Sequence, residues 1–489
     1  MKDKIVNFKY VNQNYFKIEN EDRLFLEQIY NFFSVYVPGY KFMPYYQSGY
    51  WDGQIHYFDK LRQILPLGLI QEAQRYILKL HRNKSILVDS ELKSILYNKE
   101  LEDIDSSLFT LKLKPQSHQI QAIRKCLYYK RAVIRSPTAS GKSYSITCIM
   151  NYLHENKEIY NCLLIVPTIQ LVEQFRKDMI SYGIPEEKIG VIHGSVKDKP
   201  EEFMKTFTIS TWQSLCVKKK NKIELKWEKF LKEFDGVVVD ECHLSDAKEI
   251  RRVIMACTNA KYRLGFTGTL PDNTAELYGI LAFIGPKVLD IQTTDLIREG
   301  VVSDLVINSI EFEYKNKIQF ENLTWQEVKQ KVIQDSRRLE LIKYICEQSE
   351  KNTLILVTFV ETEGLIVKKY LEENLPDKEI HFIHGSVDIN TREDIRTSAE
   401  FKKNMIIIAT YGVFKLGINI KNLHRIIFAS PLAAKIATLQ SIGRGLRVLP
   451  DKKLSVFDII DKVRFLQRHG NQRKKYWKQE KFHVKNFQL

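Results

Sequence analysis

The sequence predicts an α/β fold with two tandem parallel sheets, preceded by a small α+β N-terminal domain. Three observations predict it. Short apolar runs alternate with helix-length segments over most of the chain, the pattern of a parallel sheet covered on both faces. That rhythm stops and restarts near the middle, and the word His-Gly-Ser-Val follows an apolar run in each half. Residues 1–112 do not share the rhythm. At 489 residues the chain is too long for one core and suits about three domains.

Within residues 1–112, Tyr40–Phe58 is dense in aromatics: Tyr40, Phe42, Tyr45, Tyr46, Tyr50, Trp51, Tyr57 and Phe58. Most read as core, with a minority exposed for binding. Trp51-Asp52-Gly53 reads as a tight turn between two strands, because Asp-Gly suits hairpin geometry. Next, Ala132–Ser136, Cys162–Val166, Gly190–His193, Phe207–Ser210 and Gly236–Asp240 read as buried strands. Lys142–Glu155 and Leu171–Tyr182 read as helices among them. A boundary is expected near Ile291–Asp304, where Thr293-Thr294-Asp295 starts a helix and Glu299-Gly300 ends it. Glu311–Gln334 is charged and irregular and reads as a surface excursion. The strand pattern resumes at Thr353–Thr358, His381–His384, Met405–Thr410, Arg425–Ala429 and Leu454–Ile460. Thr362–Glu373 and Thr391–Phe401 read as its helices. Val191-Ile192-His193-Gly194-Ser195-Val196 recurs as Phe382-Ile383-His384-Gly385-Ser386-Val387, which suggests two copies of one α/β unit. The expected domains are therefore 1–112, 113–300 and 301–460, followed by a basic extension, 461–489.

Hydrophobic residues at 44% and aromatics at 11% fit a globular protein. No apolar run approaches the ~18 residues of a membrane span, and no apolar signal core follows Met1-Lys2-Asp3-Lys4. The seven cysteines are scattered without a Cys-x-x-Cys pair, as expected of reduced thiols in a cytoplasmic protein. A net charge of +16 favours a polyanionic partner. From Asp461 to Leu489 there are nine Lys/Arg against two acids, interleaved with Phe465, Tyr476, Trp477, Phe482 and Phe487. Two readings stand for this tail. Its cations grip phosphates while its aromatics stack on bases, or it is an amphipathic helix docking its aromatics on the core. Both hold if they use opposite faces.

Ser136-Pro137-Thr138-Ala139-Ser140-Gly141-Lys142-Ser143 follows a strand and opens a helix, the setting of a phosphate-cradling loop. Backbone N–H groups from Ala139 to Ser143 suit the β- and γ-phosphates, helped by the helix N-terminus. Gly141 permits close approach, Lys142 supplies a point charge, and Ser143 offers a hydroxyl to Mg²⁺. Ser136 stands where the pattern usually has its first glycine. Asp240 ends the apolar run Gly236–Val239, at the carboxyl edge of a sheet where α/β ligands bind. Asp240 is the candidate Mg²⁺ carboxylate and Glu241 the candidate base for the attacking water. Gln440-Ser441-Ile442-Gly443-Arg444-Gly445-Leu446-Arg447 offers two arginines at i and i+3 on one helix face, suited to charge developing on a γ-phosphate.

In this order the residues resemble a superfamily 2 helicase core of two RecA-like domains. Gln119 looks like the adenine-reading glutamine, Ser136–Ser143 like motif I and Val166-Pro167-Thr168 like motif Ia. Thr211-Trp212-Gln213 resembles the next nucleic-acid-contacting motif. Asp240-Glu241-Cys242-His243 is a DECH form of the DEAD box, and Gly265–Thr269 looks like motif III. Ala409–Val413 through Gly417-Ile418-Asn419 resembles motif V, and Gln440–Arg447 motif VI. Pro38–Phe42, Gly49–Gly53, Leu65–Leu69 and Tyr411–Phe414 are similar to the UvsW-like phage recombination helicases.

The resemblance implies an ATP-dependent, Mg²⁺-using DNA translocase in the cytoplasm of a bacterial host. It would remodel forks, Holliday junctions and R-loops, including RNA–DNA hybrids, in recombination, replication and repair. Catalytic roles would fall to Lys142, Asp240, Glu241, Gln440, Arg444 and Arg447. Gln119, Pro137–Ser143 and Gly417 would hold the nucleotide, and Ser143 and Asp240 the metal. Pro167, Thr168, His193, Gly194, Thr211, Trp212, His384, Gly385, Thr410, Tyr411 and Gly412 would contact nucleic acid, through the phosphate backbone rather than the bases. The resemblance also implies that residues 1–112 bind nucleic acid. An RNA helicase, a restriction-type translocase subunit and a nucleic-acid-binding module with an inactive ATPase core remain as alternatives.

Overall fold

The computed structural model describes residues 5–81, 84–98, 106–194, 200–219, 222–246, 248–315, 320–416 and 420–489. The chain forms two compact units. One comprises Met1–Ser136 and Gly141–Ile291, the other Pro137–Ser140 and Gln292–Leu489.

The first unit opens with a four-stranded sheet in the order Ile64–Pro66, Tyr15–Glu19, Ile5–Tyr10, Ser85–Val88. Alternation along these strands buries Val6, Phe8, Phe16 and Ile18 on one face. Phe25, Leu26 and Ile29 of helix Arg23–Phe32, and Ile70, Ala73 and Ile77 of helix Ile70–Leu80, join the same core. Asp22 starts the first of these helices by accepting a hydrogen bond from Phe25 N at 3.1 Å. This sheet is not free-standing, because its core continues into that of the sheet that follows. Arg263 Nη1 donates to Asn14 Oδ1 at 2.7 Å, and Asn14 Nδ2 to Met255 O at 3.3 Å. Tyr57 OH donates to Ala275 O at 3.2 Å. Gly68 has no room for a side chain: a Cβ there would lie 1.7 Å from Leu281 O.

The aromatic segment departs from expectation. Asp52-Gly53 does not close a tight hairpin. Strands Ser34–Tyr36 and Gln54–His56 pair antiparallel, but residues 37–53 form one long looped connection between them that includes the short helical turns Tyr40–Phe42 and Pro44–Gln47. Tyr57 and Phe58 are core, whereas Phe42, Tyr45 and Tyr50 are 84%, 72% and 85% exposed.

A seven-stranded parallel sheet follows, in the order Lys287–Asp290, Arg131–Arg135, Tyr262–Thr267, Gly236–Asp240, Cys162–Val166, Phe207–Thr211, Ile189–Ile192. Its central strands are buried along their whole length, which explains their near-continuous apolar runs. Tyr262–Thr267 is a strand that hydrophobic pattern hides. Arg263 is buried there to meet the N-terminal sheet. Gly265 is required because a Cβ would lie 2.9 Å from Cys242 Sγ.

The second unit is built on another seven-stranded parallel sheet. Its order is Glu379–Ile383, Met405–Thr410, Thr353–Val357, Arg425–Phe428, Lys453–Asp461, Asp304–Phe312, His483–Gln488. Glu311–Gln334 is more regular than expected. It contains the end of strand Asp304–Phe312 and helix Trp325–Ile333, which Thr324 and Glu327 start as a capping box. The tail is part of the fold. Helix Arg464–Gln479 packs Trp477 and Tyr476 inward, and His483–Gln488 pairs in parallel with Asp304–Phe312. Two buried ion pairs hold strand Lys453–Asp461: Arg473–Asp458 at 2.6 Å and Arg338–Asp461 at 2.8 Å. Among the described residues, no helix is long and apolar enough to cross a membrane.

Candidate active site

Strand Arg131–Arg135 delivers the loop at Ser136, and helix Lys142–Glu155 leaves it. Two residues have left-handed backbone, Ala139 at φ 70° and Gly141 at φ 76°. At Gly141 this conformation favours glycine, and a Cβ would also lie 2.4 Å from Gln119 Nε2. Gln119 is fixed from both ends. Its Oε1 accepts from Gln116 N at 2.9 Å and its Nε2 donates to Gly141 O at 3.4 Å. The glutamine expected to read adenine thus stands against the loop. Lys142 Nζ donates to Ser136 O at 3.3 Å and lies 3.9 Å from Glu241 Oε1. Ser143 Oγ is 3.3 Å from Tyr182 OH.

Asp240 ends its strand in register with Phe266, so the residues after both strands converge. Glu241 follows with φ 52°, a left-handed conformation costing a non-glycine residue about 1–3 kcal/mol. Asp240 is buried, and its Oδ1 accepts no hydrogen bond among the described residues. Burial, and then the neighbouring Glu241 charge, push the Asp240 carboxyl above the usual carboxylate range. Burial works the same way on Glu241, but Lys142 and His243 outweigh it and hold that carboxyl below its ordinary value. His243 Nδ1 lies 3.2 Å from Glu241 Oε2 and 2.9 Å from Thr267 Oγ1. Thr267 Oγ1 in turn is 2.9 Å from Thr269 O. The pair therefore splits into one carboxylate held ionised by the Lys142 charge and the His243 hydrogen bond and one buried oxygen with no donor among the described residues. A hydroxyl and a carboxylate, Ser143 and Asp240, are hard oxygen ligands that fit Mg²⁺. His243 and Thr267 were absent from the expected site residues. The Thr267-Gly268-Thr269 turn was the available signal, once its strand is placed beside that of Asp240.

The other expected residues of this unit lie at carboxyl ends of its strands. Pro167 and Thr168 follow Val166, where Thr168 Oγ1 accepts from Leu171 N at 3.3 Å. His193 is half-buried and Gly194 exposed after Ile192, while Ser195 and Val196 lie outside the described residues. Thr211 is buried, its hydroxyl engaged with Ser214 at 2.9 Å. Trp212 is half-buried beside it.

In the second unit, His384 and Gly385 follow Ile383, with His384 Nδ1 2.9 Å from Ser386 Oγ. Thr410 and Tyr411 are buried and Gly412 is exposed. Tyr411 stacks on Phe428 and donates its hydroxyl to Ser430 O at 3.4 Å, so its side chain serves the core. Gly417 lies outside the described residues. Gln440 is buried on helix Lys435–Gly445, and Arg444 occupies its last turn. Arg447 stands beyond the C-cap Leu446, which corrects the expectation that both arginines share a helix face.

Family models match three stretches: DNA helicase UvsW, N-terminal, over residues 5–89; type III restriction enzyme, res subunit, over 112–272; and helicase conserved C-terminal domain over 336–448. The ATP-dependent DNA helicase uvsW of Enterobacteria phage T4 is 30% identical over 474 residues, covering 94% of this chain and 91% of that protein. The DNA 3′-5′ translocase XPB2 of Sulfurisphaera tokodaii is 25% identical, over 76% of this chain and 89% of its own. In fold, S. cerevisiae Dbp5 bound to RNA and ADP BeF3 is similar at a TM-score of 0.51 and 13% identity, covering 77% and 90% of the two chains. The tandem RecA-like sheets, the phosphate loop and the likeness over 94% of the chain lead to one conclusion: the chain belongs to the UvsW family of ATP-dependent DNA helicases within superfamily 2.

Proposed function

We propose that this helicase uses Mg²⁺-dependent ATP hydrolysis to translocate on DNA and remodel branched structures, namely forks, Holliday junctions and R-loops, in recombination and repair. One observation carries the reading. A sheet matched by the UvsW N-terminal model shares a continuous hydrophobic core with the sheet bearing the phosphate loop. A nucleic-acid grip there would move with the motor. The restriction-type match covers only the motor residues 112–272 and leaves this N-terminal sheet unexplained.

In this mechanism Lys142 and the N–H groups of the loop bind the β- and γ-phosphates, and Gln119 reads the adenine. Ser143 and Asp240 would hold Mg²⁺, which when bound neutralises phosphate charge. Glu241, kept ionised by Lys142 and His243, takes a proton from the attacking water. His243 and Thr267 orient that carboxylate. Arg444 and Arg447, with Gln440, stabilise the charge that develops on the transferred phosphoryl group. Nucleic-acid contacts run along the strand ends at Pro167, Thr168, His193, Gly194, Thr211, Trp212, His384, Gly385 and Thr410–Gly412, with buried Thr211, Thr410 and Tyr411 contributing backbone only.

The test is ATP-dependent unwinding across forks, four-way junctions and R-loops, beside ATPase stimulation by forked DNA, duplex DNA and RNA. Unwinding of branched substrates with stimulation by DNA is expected. Stimulation by RNA alone would overturn the assignment.

A further inference from the structure

We propose that the loop Pro38–Gly53 is a stacking platform for unpaired nucleobases at a DNA branch, a proposal that rests on the branched-DNA reading above. The loop is a compact excursion with its ends together. Strands Ser34–Tyr36 and Gln54–His56 pair at its base, and Val37 N donates to Gly53 O at 2.9 Å. Surface loops of this closed kind, packed by their own side chains, are frequently functional.

Its aromatics divide into two sets. Tyr40 and Tyr46 are half-buried and form an internal stack: Tyr36 on Tyr40 at 4.6 Å, and Tyr40 edge-on to Tyr46 at 4.8 Å. Gly53 must be glycine for this stack to sit, since a Cβ would lie 2.3 Å from the Tyr40 ring and φ is +83°. Trp51 Nε1 donates to Gln54 O at 2.8 Å and Gln47 Nε2 to Lys41 O at 3.2 Å. This internal framework holds the second set, Phe42, Tyr45 and Tyr50, out in solvent. Exposed rings on an ordered scaffold mark an interaction surface.

Chemistry favours bases as the occupant. The loop carries two charged residues, Lys41 and Asp52. Asp52 is engaged internally, accepting from Gln54 N at 3.0 Å and lying 3.0 Å from His56 Nε2. Lys41 has no acidic partner among the described residues and lies 5.9 Å from the Tyr40 ring centre. The loop thus exposes three aromatic rings and one cation without an acidic partner among the described residues, its single carboxylate being held by Gln54 N and His56. Flat rings beside a cation bind unpaired bases without regard to sequence, because every base has a π-face.

The experiment uses the full chain with Phe42→Ser, Tyr45→Ser and Tyr50→Ser combined. Fluorescence anisotropy measures affinity for a fork with unpaired arms and for a blunt duplex, each at several salt concentrations. Fork affinity should fall about tenfold or more, because base stacking on the rings is removed. Duplex affinity, the salt slope and basal ATPase should stay at wild-type levels, since every phosphate-binding cation is kept. Tyr45→Phe with Tyr50→Phe keeps the rings and should bind the fork like wild type. Unchanged fork affinity overturns the proposal and leaves the loop to a protein partner. Equal losses on fork and duplex, or a shallower salt slope, overturn it in favour of backbone binding. If the wild type itself binds no fork and DNA does not stimulate its ATPase, the branched-DNA reading fails first and takes the platform with it.

Discussion

Glu241 combines a left-handed backbone with a carboxylate flanked by Lys142 and His243. In the proposed mechanism, the strained backbone at that residue aims its carboxylate at the attacking water at a cost to the chain's stability. Glu241→Gln should lower hydrolysis by at least about 10²-fold while ATP still binds, because Lys142 and Asp240 remain. Wild-type turnover in that variant would assign the base elsewhere. Lys142→Ala should lose binding as well, as nucleotide titration would show. Asp240 gives a pH prediction of the opposite sign to its neighbour. Its folded pKa is raised, chiefly by burial and then by Glu241, so ionisation opposes folding. That penalty is absent in acid, begins above the ordinary carboxylate range, and is complete once pH exceeds the raised value. Glu241 has a lowered pKa, so its stabilising contribution is present above the ordinary range and lost as pH falls through the lowered value. Asp240→Asn should therefore raise the Tm of the nucleotide-free protein at alkaline pH, and the gain should vanish in acid. Thermal melts across pH check this, and a gain that persists in acid would show another cause.

At the scale of elements, helix Arg464–Gln479 bears out the docked reading of the basic tail and leaves its outward cations as the part to be tested for phosphate binding. Leu466, Gly470, Arg473, Tyr476 and Trp477 face the core, while Arg468, Lys475 and Lys478 point away from it. Deleting Asp461–Leu489 would remove strand His483–Gln488 and the Arg473–Asp458 pair as well as charge. The informative variant is Arg468→Gln, Lys475→Gln and Lys478→Gln together. It should leave Tm unchanged, weaken DNA binding, and flatten the salt slope by up to about 0.9 for each phosphate no longer neutralised. An unchanged slope would make the outward face a solvated one. Trp477→Ala, in contrast, should destabilise by about 3–5 kcal/mol in urea unfolding. Strands such as Cys162–Val166 and Met405–Thr410 were legible in the sequence because burial on both faces writes a continuous apolar run. Tyr262–Thr267 was not, because Arg263 and Gly265 answer to tertiary neighbours rather than to strand propensity. The turn at Asp52-Gly53 misled for a related reason: hairpin chemistry is local, whereas the closure from Val37 to Gly53 is not. Lys142, Asp240 and Glu241 were readable because each ends or follows an apolar run. His243 and Thr267 join them only through the register of two strands.

For the whole molecule, the decisive feature is that the N-terminal sheet and the ATP-binding sheet form one packed body. Gly68 stands at that junction, and the obstacle to any side chain is the backbone oxygen of Leu281 within helix Thr274–Ile284. A flexible side chain could move aside, but a backbone carbonyl in a helix cannot shift without moving the helix and disturbing the packing of Tyr278 against Phe33 and Tyr57. Gly68→Val should therefore force the two sheets apart at a cost of about 1–3 kcal/mol, read as a lower urea midpoint. If the N-terminal sheet carries a grip on branched DNA, the same variant should separate two activities. Basal ATP hydrolysis, built from residues distant in sequence from the junction, should survive below the new midpoint. Unwinding of forks should fall more steeply than hydrolysis, because force generated at the phosphate loop would no longer reach a rigidly held grip. Equal losses of both activities would mean that the junction supports only the stability of the ATP-binding sheet, and that the N-terminal sheet is a structural cap on the motor.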